Sequence, residues 1–170
     1  MKRSLLLLFI LIGGLCSNGQ QIPAWKITDL NQHIDTTTSH ILVINLWATF
    51  CGPCVKEIPH FIEFSNEHTG DKMELLLVSV DPKDVYPDGL QKFIKKHRFR
   101  SNFIWLDESD ANFFIPSISS EWTGSIPTTL FINKKTGKRL FVESELSKKE
   151  LENLLAEIQS DGFRQVPVMP

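Results

Sequence analysis

Apolar residues along this chain are concentrated in short runs that are typical of buried β-strands. Residues 41–47 are apolar except for Asn45, and residues 73–80 form a second run of the same kind. Such continuous runs favour strands of a sheet that is covered on both faces. Shorter strand-like segments follow at residues 103–106, 128–132 and 140–142. The polar residues 134–137 between the last two predict a turn, so we expect these two strands to form a hairpin.

Helical periodicity occurs between and after these strands. Apolar side chains recur at helical spacing after Cys54, at Val55, Ile58, Phe61, Ile62 and Phe64. Pro53 is favourable in the first turn of that helix, whereas Pro59 inside it predicts a kink. Residues 88–97 are amphipathic, and Ser147 with Glu150 matches a capping box that precedes a further apolar stripe. The pattern therefore predicts three helices.

The remaining segments have weaker patterns. Residues 22–27 alternate as a short edge strand does, residues 29–39 are polar and turn-like, and residues 107–125 have no clear periodicity. Strands that alternate with helices and end in a hairpin predict the α/β class. We expect a sandwich over residues 21–160, with a central mixed β-sheet and helices on both faces, and a loose tail at residues 161–170.

The first twenty residues have the layout of a secretory signal peptide. Lys2 and Arg3 precede an uncharged apolar run at residues 5–15, which is shorter than the roughly 20 residues that cross a bilayer. Cys16 fits a lipoprotein cleavage site except that the residue before it is not small, and cleavage after Gly19 is the alternative. The alternative interpretation of the apolar run is a retained membrane anchor or a buried strand. We expect an extracytoplasmic domain, in the bacterial periplasm, that is soluble or lipid-anchored through Cys16.

The overall composition is that of a soluble globular domain. Hydrophobic residues make up 42% of the 170 residues, and the mean hydropathy is -0.08. The chain has 18 basic and 20 acidic residues, which gives a formal net charge of -2. This balance does not favour nucleic acid or an anionic membrane surface as a partner.

Cys51 and Cys54 are the residues with the clearest chemistry. A disulfide between them would close a very small loop, and such loops stabilise a fold least, so a purely structural role explains the pair poorly. Their position between a buried strand and a helix favours a reactive role instead. The helix N-terminus offers free N–H groups and partial positive charge, which stabilise a thiolate at Cys51. Cys54 lies one turn further along, where it can resolve a mixed disulfide.

Zinc is the main alternative for two cysteines at this spacing. A tetrahedral site needs further ligands, and the chain has no second pair of cysteines two residues apart. Its five histidines do not have the spacing of paired ligands. We therefore expect neither a metal nor another cofactor.

The segment from Trp47 to Cys54, WATFCGPC, resembles the active site of the thioredoxin superfamily. Pro59 matches the family's helix-kinking proline. Ile126 and Pro127 resemble the family's active-site loop, in which the proline is cis. The resemblance covers residues 22–158. Three features are similar to those of the extracytoplasmic TlpA/ResA-like branch. They are the residues just before the cysteines, the glutamate at position 57 and the signal peptide.

The resemblance implies roles for several residues. Cys51 would be the nucleophile and Cys54 the resolving thiol, while Pro127 and Ile126 would hold the substrate backbone near the sulfurs. Trp47 would belong to the substrate site by packing beneath it. Trp122 is a candidate for lining the substrate groove, and core packing is its alternative.

Asn45 is a departure from the resemblance, because cytoplasmic thioredoxins usually carry a buried aspartate at this position. An asparagine cannot move a proton at working pH. Glu57 lies on the same side of the helix as Cys54, three residues on, and we expect it to assist proton transfer there. The alternative is a solvated glutamate on the helix surface.

The function that the resemblance implies is thiol–disulfide exchange. Gly52 and Pro53 form the dipeptide of reducing thioredoxins, which favours a reductase of protein disulfides that draws electrons from another extracytoplasmic dithiol protein. The substrates that the resemblance implies are apocytochrome c, in cytochrome c maturation, and misoxidised secreted proteins. The alternatives are a thiol peroxidase and a non-catalytic thioredoxin-fold module that holds a partner or copper.

Overall fold

A computed structural model describes residues 21–160 of the chain. The predicted signal peptide with Cys16 and the predicted tail at residues 161–170 lie outside the described residues. Within residues 21–160, no helix has the length and apolar character required to cross a membrane.

Within residues 21–160, six strands form one mixed sheet. They are β1 (Ala24–Trp25), β2 (Ile41–Trp47), β3 (Met73–Ser79), β4 (Asn102–Leu106), β5 (Thr128–Asn133) and β6 (Arg139–Val142). Their order across the sheet is β1-β4-β3-β2-β5-β6. The first four in this order are parallel, whereas β5 pairs antiparallel with both β2 and β6. The predicted parallel sheet that ends in an antiparallel hairpin is therefore confirmed.

In the described part of the chain, five α-helices cover the sheet. They are α1 (Ile27–Thr36), α2 (Gly52–Glu67), α3 (Asp88–His97), α4 (Ala111–Ile118) and α5 (Lys148–Gln159), and a short 3-10 turn spans Thr69–Asp71. Buried side chains of α2, α3 and α5 share one hydrophobic cluster, and those of α1 and α4 share a second. The predicted α/β sandwich with helices on both faces is confirmed.

Strand β2 separates these two clusters, since all seven of its residues are buried. Successive side chains of a strand point to opposite faces. Val43 and Trp47 accordingly join the cluster under α2, whereas Ile44 and Leu46 join the cluster under α1. Asn45 has the same parity as Val43 and Trp47, so this polar side chain enters the face that α2 covers.

Two segments differ from the sequence prediction. Residues 29–39 were expected to be turn-like, but most of them belong to α1, whose buried side chains Ile27, Leu30 and Ile34 have helical spacing. The prediction was wrong because Ile27 was assigned to the preceding strand, which is only two residues long. Helix α4 lies in the segment that had no clear periodicity, and Asp110 caps it by accepting from the N–H of Asn112 at 3.0 Å.

The predicted capping box of α5 is confirmed. The Ser147 hydroxyl oxygen accepts from the N–H of Glu150 at 3.4 Å, and the Glu150 carboxylate accepts from the N–H of Ser147 at 2.8 Å. Pro59 lies inside α2 as expected. Lys148 donates to Glu63 at 2.8 Å and to Glu67 at 2.7 Å, which ties the start of α5 to the surface of α2.

Candidate dithiol active site

The two cysteines lie where β2 ends and α2 begins. Cys51 is the N-cap residue of α2, and Cys54 lies in its first turn. Their sulfurs are bonded as a disulfide, with the Cα atoms 5.3 Å apart. Cys51 is 8% exposed, whereas Cys54 is fully buried. The structure therefore places the pair at the junction of strand and helix, as predicted, with Cys51 slightly exposed and Cys54 fully buried.

The start of α2 favours negative charge on the sulfur of Cys51. The backbone N–H of Cys54 donates to Cys51 Sγ at 3.3 Å, which is the contact of an N-cap side chain. The free N–H groups of a helix N-terminus also carry partial positive charge. Both effects favour the charged form of a sulfur at the position of Cys51.

The turn that carries Cys51 is held by Asp81, a residue that the sequence prediction missed. Asp81 lies just after β3 and is 3% exposed. Its carboxylate accepts from the N–H of Thr49 at 3.0 Å, from the Thr49 hydroxyl at 2.6 Å and from the Ser79 hydroxyl at 2.7 Å. The only signal in the sequence is an acidic residue that closely follows a buried strand. These bonds fix the backbone two residues before the reactive cysteine.

The loop before β5 forms the opposite wall of the site. The peptide bond between Ile126 and Pro127 is cis, as the resemblance implied. The carbonyl oxygen of Ile126 lies 3.7 Å from Cys51 Sγ, although 75 residues separate the two in sequence. Pro127 is buried and Ile126 is half-buried. The structure thus brings both predicted loop residues to the reactive sulfur, and their contact with a substrate stays a prediction.

Glu57 is completely buried, so the alternative of a solvated surface glutamate was wrong. One carboxylate oxygen accepts from Asn45 Nδ2 at 2.7 Å, and the other accepts from the backbone N–H of Leu146 at 2.7 Å. Burial raises the pKa of Glu57 to about 7, and these two hydrogen bonds oppose the rise. Its carboxyl group can therefore gain or lose a proton near neutral pH, three residues from Cys54.

The two tryptophans named from the sequence are both in the core. Trp47 is fully buried, and its ring contacts the rings of Phe93 and Phe103 with centroids 6.1 and 5.7 Å away. Trp122 is 6% exposed, and its indole N–H donates to the Ser125 carbonyl oxygen at 2.8 Å. Trp47 shares a hydrophobic cluster with both cysteines, and Trp122 belongs to the cluster against which Ile126 packs. Direct contact of either tryptophan with a substrate stays a prediction.

Within residues 21–160, no three histidine, cysteine, aspartate or glutamate side chains come together as metal ligands would.

The known proteins that this chain resembles include thiol-disulfide oxidoreductases and a thioredoxin-related protein. The thiol-disulfide oxidoreductase ResA of Oceanobacillus iheyensis is 24% identical over 153 residues, which are 82% of this chain and 72% of that protein. ResA of Geobacillus kaustophilus is 26% identical over 145 residues, which are 83% of this chain and 78% of that protein. A thioredoxin-related protein from Neisseria meningitidis serogroup B has a solved structure with a TM-score of 0.63 at 21% identity, over 74% of this chain and 89% of that chain.

The thioredoxin-like fold, the disulfide at the start of α2 and these relatives define a thiol–disulfide oxidoreductase. The chain belongs to the AhpC/TSA family, whose sequence model matches residues 18–138.

Proposed function

We propose that this protein reduces protein disulfides outside the cytoplasm, with Cys51 as the nucleophile and Cys54 as the resolving thiol. The observation that carries this proposal is the difference between the two sulfurs. Cys51 keeps 8% exposure and lies beside the Ile126 carbonyl oxygen, whereas Cys54 has no exposed surface. A substrate sulfur can therefore reach Cys51 but not Cys54.

Reduction then takes two exchange steps. The Cys51 thiolate attacks a substrate disulfide, so that a bond forms from Cys51 Sγ to one substrate sulfur while the substrate S–S bond breaks. The departing thiolate takes a proton from water. Cys54 Sγ, having lost its proton, next attacks Cys51 Sγ and releases the second substrate sulfur, which is also protonated. Two electrons pass to the substrate, and Cys51 and Cys54 remain as a disulfide.

Glu57 serves the second step in this proposal. Cys54 must lose a proton before it can attack, and it is buried away from bulk water. Glu57 lies three residues further along α2, on the same side of the helix. A carboxyl group with a pKa of about 7 can accept this proton at neutral pH and release it afterwards.

The residues between the cysteines support reduction as the direction of electron flow. Gly52 and Pro53 are shared with reducing thioredoxins, and the reduction potential of thioredoxin is about -270 mV, against about -120 mV for the oxidant DsbA. We infer a reductase that receives two electrons from another extracytoplasmic dithiol protein. The signal-peptide pattern of residues 1–20 supports this location, with Cys16 as the site of a lipid anchor or cleavage after Gly19 as the soluble alternative. Apocytochrome c and misoxidised secreted proteins are the substrates we propose.

Trapping tests the roles of the two cysteines. A reduced Cys54→Ser variant should accumulate a mixed disulfide with a disulfide-containing peptide, detected by mass on the tryptic fragment that holds residue 51. A Cys51→Ser variant should accumulate none, because Cys54 is buried. Equal trapping by the two variants would overturn the assignment.

The reduction potential tests the direction, and peroxide tests the chemistry. A potential near that of thioredoxin supports the reductase, and one near that of DsbA means an oxidant with the same site. Rapid sulfenic acid formation at Cys51 on addition of hydrogen peroxide would favour the thiol peroxidase instead. A Cys51→Ser/Cys54→Ser variant that keeps full affinity for a partner would favour a binding role.

A further inference from the structure

The carboxylate of Glu143 binds the loop that precedes the cis proline. Glu143 directly follows β6, and it accepts from the N–H of Thr123 at 3.2 Å and from the N–H of Ser125 at 2.9 Å. The hydroxyl of Thr123 donates to the same carboxylate. This hydroxyl contact is the main cause that lowers the pKa of Glu143, so the group is ionised at neutral pH.

Hydrogen bonds hold the peptide groups on both sides of Ser125. Its N–H donates to Glu143, while its carbonyl oxygen accepts from the Trp122 indole and from the Thr128 hydroxyl, each at 2.8 Å. The next residue is Ile126, whose carbonyl oxygen lies 3.7 Å from Cys51 Sγ. The position of the Ile126 peptide against the reactive sulfur therefore depends on the bonds at Ser125.

The contacts of Glu143 differ from those of its neighbour Glu145. Glu145 forms an ion pair with Lys56 of α2 at 2.6 Å, at the surface. Glu143 instead accepts from two backbone N–H groups of one loop, which is a geometry that sets backbone position rather than surface charge.

We propose that Glu143 is a positioning residue for polypeptide substrates, which it serves by fixing the loop that meets their backbone. The proposal rests on the proposed function, because it assumes that Ile126 and Pro127 contact the chain on either side of a substrate cysteine. A small disulfide has no such chain, so its reduction needs the two cysteines but no contact with the loop. Loss of the Glu143 contacts should therefore weaken polypeptide binding and leave exchange with a small disulfide intact.

The same connection between β6 and α5 also reaches Glu57. The N–H of Leu146 donates to Glu57, three residues after Glu143 along the connection. One short segment thus contacts both the residue proposed to move a proton and the loop proposed to bind substrate. A change at Glu143 that displaced the whole segment would alter the pH dependence governed by Glu57, whereas a change confined to the loop would not.

Steady-state kinetics of Glu143→Gln and Glu143→Ala test the proposal, with a disulfide-containing peptide and a small aromatic disulfide as the two substrates. Glutamine keeps the side-chain shape, but its amide nitrogen cannot accept from an N–H group. We expect KM for the peptide to rise roughly three- to tenfold in both variants, since exposed charged hydrogen bonds are individually modest. The kcat, the rate with the small disulfide, the reduction potential and the pH profile should stay as in the unchanged protein.

Glu145→Gln is the matched control for the peptide KM, because it removes a carboxylate from the same connection without touching the loop. The pH profile of this control is not compared, since the charge of Glu145 helps to raise the pKa of Glu57. Thr123→Val provides a second test that leaves Glu143 in place, and it should raise the peptide KM in the same direction by a smaller factor. An unchanged peptide KM in the Glu143 variants would overturn the proposal. The proposal would also be overturned if the Glu143 variants lost activity equally with the peptide and the small disulfide, or if Glu145→Gln raised the peptide KM by the same factor. If the unchanged protein does not reduce the peptide at all, the proposed function itself fails.

Discussion

Asn45 Nδ2 donates to the carboxylate of Glu57 at 2.7 Å, and this buried hydrogen bond joins β2 to α2. The same nitrogen donates to the Thr129 hydroxyl at 3.1 Å, opposite Asn45 in the β2–β5 pairing. Asn45 Oδ1 has no hydrogen-bond partner among the described residues. A half-turn of the Asn45 amide would exchange its donor for its acceptor. Asn45 can therefore donate to Glu57 when Glu57 is a carboxylate and accept from it when Glu57 is a carboxylic acid. Asparagine at this position therefore suits a neighbour that changes its protonation state.

Glu57→Gln should alter the pH dependence of thiol–disulfide exchange. In the unchanged protein, Glu57 becomes a proton acceptor as the pH rises through its pKa of about 7, so the rate should rise across that range. The variant should lack this component and be roughly tenfold slower at pH 8. Glu63→Gln is the control, since Glu63 lies on α2 but is exposed and paired with Lys148. Superimposable profiles for Glu57→Gln and the unchanged protein would remove Glu57 from the mechanism.

The free energy of unfolding should also depend on pH through Glu57. The pKa of this group is about 7 in the folded protein against 4.5 as its ordinary value, so the folded state binds the additional proton between these values. The contribution of Glu57 to stability is then greatest below about pH 4.5 and is lost as the pH rises through 7, by about 3 kcal/mol in all. Urea unfolding of the oxidised protein and of Glu57→Gln at pH 5 and pH 8 measures the difference. Equal changes in the two proteins would contradict it.

Gly124→Ala should weaken peptide binding as well as the fold. Gly124 has φ +96°, and an added Cβ would lie 3.1 Å from Ile115 Cδ1. Gly137 has φ +75° with open space around it, so Gly137→Ala has the backbone strain without the contact. Each substitution should lower the free energy of unfolding by about 1–2 kcal/mol. Only Gly124→Ala should raise KM for a disulfide-containing peptide, and an equal KM in the two variants would contradict this expectation.

Asp81→Asn should destabilise the turn that carries Cys51. The substitution removes an acceptor oxygen from bonds to Thr49 and Ser79 that are largely shielded from water. We expect a loss of about 2 kcal/mol in urea unfolding, together with slower alkylation of Cys51 in the reduced protein. The exposed Asp84 lies in the segment that follows, and Asp84→Asn should change neither measurement. Alkylation at the original rate would mean that Asp81 serves stability alone.

The local patterns of the sequence were sufficient to predict most elements and the reactive pair. Strand β2, helix α3 and the capping box of α5 depend on periodicity and on contacts within one turn, and all three were predicted. Two helices were missed, α1 and α4. Helix α1 has only three buried residues, the first of which closely follows a two-residue strand, and α4 is eight residues long with one buried residue. Short segments of this kind are decided by what packs on them, which the pattern of one segment does not contain.

By itself, the sequence determined the α/β class, the position of Cys51 and Cys54 at a helix start, and the identity of Glu57 as a candidate. Only the tertiary structure decided that Glu57 is buried, since its two partners come from β2 and from the connection after β6. It also placed Asp81 and Glu143 against the two walls of the site. The physical reason is that burial and hydrogen-bond partners, which set pKa values and loop positions, come from residues far apart along the chain.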